Sequence, residues 1–194
     1  MKFEIEKMKW LIPALALLII LESILVVKNT PIGQGQVKEK LSLPRSTQSP
    51  KEAEVSLQGG ETVNLGETSR LGIVLLAKET LMLDGVDVYI NYDPDKVEVM
   101  GIDPSEKFSY VARNWIEPEE KRVLISMVEP TAMEGVKISG GEEVSLAVIE
   151  FKALSTGRAD FKIYSPGEAK GTVLAGQGKE YSFTKKDLTI RINK

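Results

Sequence analysis

GVDVYINYDPDKVEVMGI, residues 85–102, decides the fold of this 194-residue chain. In its first half Val86, Val88 and Ile90 alternate with Asp87, Tyr89 and Asn91, the period of two that a half-buried strand requires. Asp93 and Pro94 then supply a reversal, because the carboxylate accepts bonds from nearby backbone N–H groups and the pyrrolidine ring fixes its own φ. Val97 and Val99 resume an apolar alternation that runs to Ile102.

The same grammar extends in both directions. Short β-prone runs, separated by Gly, Pro, Asp and Asn at intervals of roughly ten residues, predict a sandwich or barrel. The expected strands are residues 54–57, 69–78, 85–91, 97–102, 108–117, 122–128, 144–154, 158–165, 172–174, 180–183 and 188–192. Phe161 and Ile163 alternate with Lys162 and Tyr164, so that strand has one face in a core. LGIVLL (71–76) and VSLAVI (144–149) are apolar on both faces, which places them at the centre of a sheet. No long helical period competes, and residues 54–194 are predicted to form one all-β domain.

The N-terminal quarter reads differently. WLIPALALLIILESILVV, residues 10–27, is long enough to cross a bilayer as a helix, and Pro13 is tolerated in its first turn. Lys2, Lys7 and Lys9 precede the run and only Lys28 follows closely, which orients residues 1–9 to the cytoplasm and the rest outside. ILVVKNT after the apolar core has no small-residue cleavage site, so an uncleaved single-pass anchor is expected. Glu22 is the polar exception: either it pairs with a neighbouring span or it lies near the far interface, roughly 8 Å of helix from Val27. Residues 28–53 carry Pro31, Pro44, Pro50, Gly33 and Gly35 among polar residues and read as a flexible linker.

Composition closes many functions. The chain has no Cys and no His, which removes disulfides, thiolate chemistry, imidazole metal sites and the commonest general base at neutral pH. A net charge of −3 leaves no basic excess for nucleic acid. Asp84, Asp87, Asp93, Asp95 and Asp103 cluster in sequence, but Asp84, Asp95 and Asp103 each adjoin a Gly or Pro and are explained as turn residues. No enzyme activity and no cofactor are predicted; a structural calcium is possible without being predicted. The Gly59-Gly60, Gly140-Gly141 and Gly176-Gln177-Gly178 sites lack phosphate-loop spacing and read as turns.

Several motifs in this order resemble a cohesin domain: GETSRLGIVLLA (66–77), the 85–102 stretch, FSYVARNW (108–115), RVLISMVEP (122–130), GGEEVSLAVIEFKAL (140–154) and a strand begun by Gly157. The resemblance covers roughly residues 54–193 and implies a nine-stranded jelly-roll β-sandwich with a binding role. Members of that family hold dockerin modules through one sheet face, with calcium in the dockerin, and related sandwiches bind polysaccharide or act as spacers. The contact sheet maps onto residues 85–91, 108–117, 122–128 and 158–165. Alternation there turns Asp87, Tyr89, Asn91, Arg113, Trp115, Ser126, Lys162 and Tyr164 outward.

That mixture of rings, Arg and amide suits a protein interface, and it equally suits a platform for sugar rings. A plainer alternative makes Tyr89, Trp115 and Tyr164 cross-strand pairs or core residues with a polar tip. A single bulge within residues 108–117 would turn Trp115 inward. The expected function is thus a membrane-anchored extracytoplasmic module that captures a dockerin-like or other modular protein. The alternatives are a polysaccharide-binding module, or a spacer in an envelope or secretion assembly whose Glu22 meets another span.

Overall fold

Val86, Val88 and Ile90 are wholly buried, while Asp87, Tyr89 and Asn91 stand half-exposed on the opposite side of their strand. The computed structural model describes residues 51–130, 135–165 and 170–194. The expected anchor at 10–27, Glu22 within it and the linker up to residue 50 lie outside the described residues. Among the described residues no helix is long and apolar enough to cross a membrane.

The described residues form fifteen strands: β1 (Ala53–Gly59), β2 (Thr62–Asn64), β3 (Thr68–Ala77), β4 (Leu81–Leu83), β5 (Gly85–Asn91), β6 (Val97–Pro104), β7 (Tyr110–Glu117), β8 (Arg122–Val128), β9 (Val136–Ile138), β10 (Glu143–Ala153), β11 (Gly157–Ile163), β12 (Val173–Gly176), β13 (Lys179–Glu180), β14 (Phe183–Lys186) and β15 (Leu188–Asn193). Nine of them, β1, β3, β5, β6, β7, β8, β10, β11 and β15, have six residues or more. The residue pattern predicts eleven strands and the resemblance implies nine; the remaining six of the fifteen have four residues or fewer.

Two sheets carry the sandwich. One runs β14-β1-β3-β10-β6; the other runs β13-β12-β5-β11-β15-β2, with β8 on the remaining side of β5 and β7 beyond it. β3 and β10 occupy the interior of the first sheet, as their two-sided apolar pattern requires. Phe151 of β10 meets Phe161 of β11 across the layers, ring centroids 5.3 Å apart, and both are buried. Each such ring contributes about 2 to 3 kcal/mol by leaving water. At one open edge Asn114 of β7 donates its Nδ2–H to the carbonyl of Ile102 on β6, 3.1 Å away, tying the sheets together.

Three departures from the sequence reading have physical causes. β2, β4 and β9 have three residues each, too few for a period to show. The expected strand at 180–183 is broken, because Tyr181 turns into the core and its hydroxyl both donates to Met82 O (3.1 Å) and accepts from Met82 N (3.2 Å). The domain also begins before residue 54: β1 starts at Ala53, and the Glu52 carboxylate accepts bonds from Lys179 Nζ and Ser182 N, each 2.9 Å. Met82 has a further close neighbour: a Cβ on Gly176 would lie 1.7 Å from its carbonyl oxygen, so only glycine fits there.

Candidate binding face

β5 is the strand on which the site is assembled. On one side it pairs along its whole length with β8; on the other it meets β12 at Gly85–Asp87 and β11 at Ile90 and Asn91. Between those two neighbours the backbone of Tyr89 is satisfied locally. Thr172, fully buried, accepts from Tyr89 N at 3.1 Å, and Tyr164 N donates to Tyr89 O at 2.9 Å. Buried backbone groups must be paired somewhere, and here one hydroxyl does so where two strands part.

Register then lines up the outward residues in rows. Asp87 lies opposite Ser126, which lies opposite Arg113; Tyr89 lies opposite Leu124, which lies opposite Trp115; Asn91 lies opposite Arg122, which lies opposite Glu117. Lys162 of β11 continues the last row beside Asn91, and Tyr164 follows two residues later with its ring at 6.3 Å and 74° to that of Tyr89. All eight residues expected from sequence therefore share one outer face.

The bulge that sequence reading feared is present, and it does the opposite of what was feared. Val111 pairs with Met127 and Arg113 with Ser126, leaving Ala112 as the extra residue. Because the irregularity precedes Arg113, the register set from the β7–β8 turn keeps Trp115 outward, 48% exposed. It also turns Tyr110 outward, opposite Val128 and 56% exposed, where strict alternation had it facing in. Tyr110 was missed because the sequence around Ala112 carries no Gly or Pro to announce a bulge.

Leu124 was missed for another reason. It is 4% exposed yet stands apart from the core cluster that holds its neighbours Val123 and Ile125. Its burial is on the outer face, in the row between Tyr89 and Trp115. The result is a transverse strip, Trp115–Leu124–Tyr89–Tyr164, across four strands' width. The Arg113 guanidinium lies over the Trp115 ring at 5.0 Å, within cation–π range.

Charge frames the strip on one side. Arg122 pairs with Glu117 and, at 3.5 Å, with Glu120, which also meets Lys170 at 3.5 Å. The hydrogen bond from Arg122 holds the Glu117 carboxyl below its ordinary value, and the same bond raises Arg122. Asn91 is committed to structure: its Nδ2–H donates to Lys121 O (3.0 Å), bracing a turn in which Lys121 has φ 54°. Of the eight, Asn91 is thus the least free to meet a partner.

On the other side the strip borders a shallow groove of about 260 Å³ lined by Gly85, Asp87, Ser126, Val128, Val173 and Ala175. Of the aspartates outside the face, Asp93 fills the turn role its sequence context suggested, whereas Asp84 bonds a turn far along the chain and Asp103 lies within β6 opposite Val148, its following proline ending a strand rather than making a turn. Asp93 Oδ1 accepts from Asp95 N (3.0 Å), and Asp84 Oδ2 accepts from Gln177 N (2.8 Å). Among the described residues no group of three or more metal-ligating side chains converges.

No family model matches the chain, and no curated protein matches it. Solved structures do. The CaCohA2 module of Clostridium acetobutylicum, solved in complex with CaDoc0917, superposes with a TM-score of 0.60 at 19% identity, over 72% of this chain and 99% of that one. The third ScaC cohesin of Acetivibrio cellulolyticus, in complex with the ScaB dockerin, gives 0.59 at 16% identity, over 73% and 99%. A cohesin module from a family 33 glycoside hydrolase of Clostridium perfringens gives 0.57 at 10% identity, over 74% and 98%. The described domain has the all-β sandwich fold of cohesin modules.

Proposed function

We propose that this chain is a cohesin-like protein-binding module that captures a dockerin-like partner on the β7-β8-β5-β11 face. The observation that carries the reading is the strip Trp115–Leu124–Tyr89–Tyr164, with Tyr110 and Arg113 beside it. Exposed aromatic rings and an arginine around a desolvated leucine are the composition of an interface hot spot. The solved modules that share the fold include several whose structures contain a dockerin, which supports the same choice of partner.

A polysaccharide would draw on the same rings. The Arg113 guanidinium, however, already lies over the Trp115 indole and competes for the surface on which a pyranose would stack. The protein partner is therefore the reading we keep.

The test is calorimetric titration of the chain with calcium-loaded dockerin-type modules, with chelator controls, beside retention assays on polysaccharides. Saturable 1:1 binding to such a module, weakened by Trp115→Ala, is the expected result. Glycan retention without any module binding would replace the reading. Membrane attachment belongs to the same proposal: residues 10–27, flanked by Lys2, Lys7 and Lys9, form a single-pass anchor with the sandwich extracytoplasmic. Protease accessibility of the domain in intact cells checks that orientation.

A further inference from the structure

Past β11 the same outer face changes character. Arg158 of β11 lies directly opposite Arg191 of β15, and Arg191 in turn lies opposite Thr62 of β2. Like charges in directly opposed positions of a ladder repel and destabilise it. The usual remedy is a carboxylate nearby, and here the one two residues along β11 is engaged. Asp160 accepts from Thr189 Oγ1 at 2.7 Å and stands 3.9 Å from Lys162 Nζ. Among the described residues neither Arg158 nor Arg191 takes part in an ion pair.

Arg158 and Arg191 line an open cleft of about 440 Å³ together with Glu61, Thr62, Leu188 and Thr189. The frame is backbone rather than loop. Arg191 N donates to Glu61 O at 2.8 Å and Leu65 N donates to Asn193 O at 2.9 Å, which fixes β2 against β15. Two positive side chains and one negative one leave the lining with an excess of one positive charge, and the Thr62 hydroxyl stands beside them as a further donor, that of Thr189 being spent on Asp160.

We propose that this cleft binds an oxyanion, a sulfate or phosphate group bridged by Arg158 and Arg191 and bonded by the Thr62 hydroxyl. Guanidinium forks match the oxygens of such groups, and an anion between them replaces the repulsion with two charge-assisted contacts. The cleft lies two strands beyond β5, so its occupancy does not rest on the protein-binding reading and either can fail alone.

The experiment is a thermal-denaturation and calorimetric titration of the full chain with sodium sulfate and sodium phosphate, against sodium chloride at equal ionic strength. Saturable stabilisation by sulfate or phosphate beyond chloride is expected. Arg158→Gln and Arg191→Gln should each weaken binding about tenfold or more, and Glu61→Gln should strengthen it by removing the one carboxylate of the lining. Because the arginines repel, each single Gln variant should melt no lower than the parent when no oxyanion is present, which separates lost binding from lost folding. A sulfated oligosaccharide and a phosphorylated one, run as further arms, tell a free ion from the same group on a polymer by which binds tighter. Equal responses to chloride and sulfate, or unchanged affinity in both arginine variants, overturn the proposal.

Discussion

The two outer faces of the sandwich obey one alternation rule and present opposite surfaces. On the five-stranded sheet the outward row through β1, β3 and β10 is Ser56, Val74 and Ser145, and the next is Gln58, Gly72 and Val148. Ser56 is 5% and Val74 7% exposed, so small neighbours close over one another and leave little relief. At its centre one charge pair is matched across the ladder, Arg70 with Glu150 at 3.0 Å. On the other sheet Tyr110 and Trp115 project around a sunken Leu124, and two arginines further along face each other unmatched. Inward residues make the sandwich on both sides; only the outward ones distinguish a satisfied surface from one that can gain by contact.

The comparison breaks most completely if the frame behind it goes. Gly176→Ala puts a methyl against the Met82 carbonyl and should cost about 3 kcal/mol of stability. Chemical denaturation measures it, with both faces expected to suffer together. Next comes the partner itself: Trp115→Ala should weaken binding by about 2 kcal/mol, roughly thirtyfold, and Tyr110→Ala by less. Titration of the two variants checks this, and equal losses from substitutions on the Ser56–Val74–Ser145 row would erase the distinction between faces.

A smaller effect follows pH. The hydrogen bond from Lys179 Nζ, and then that from Ser182 N, hold the Glu52 carboxyl below its usual value of 4.5. A folded pKa below the unfolded one stabilises fully above the ordinary glutamate range and is lost as pH falls through the folded value. The difference in melting temperature between the parent and Glu52→Gln should therefore be present at neutral pH and close in acid. Smallest of all is Arg70→Gln, which removes an exposed pair on the quiet face and should change stability by about 0.5 kcal/mol or less and partner affinity not at all.

What could be read from sequence was whatever a period of two records. Val86, Val88 and Ile90 announced β5, and the two-sided apolar runs announced β3 and β10 as central strands. Asp93 disclosed its turn through its neighbour Pro94. Hidden were features that depend on what lies across a ladder. The bulge at Ala112 shows only when Val111 and Arg113 are matched with β8, and it decides where Tyr110 points. Leu124 looks like core in any list of apolar residues. Glu52 looks like linker until Ser182 and Lys179 arrive from the far end of the chain. Arg158 and Arg191 are unremarkable until their strands place them face to face.

The clamp at the start of β1 also governs when the domain can be complete. β1 lies between β3 and a parallel partner, β14, and Glu52 is bonded to Ser182, 130 residues further on. A chain emerging from its N-terminal end can form the β1–β3 hairpin early, since that contact is local. The outer edge of β1 stays unpaired until β14 has been synthesised. Closure at such separation adds a loop-entropy cost before it returns any contact, which slows the final step. The growing chain thus stays open on one flank until β14 emerges, and Ser182 with the strand that follows it acts as the latch.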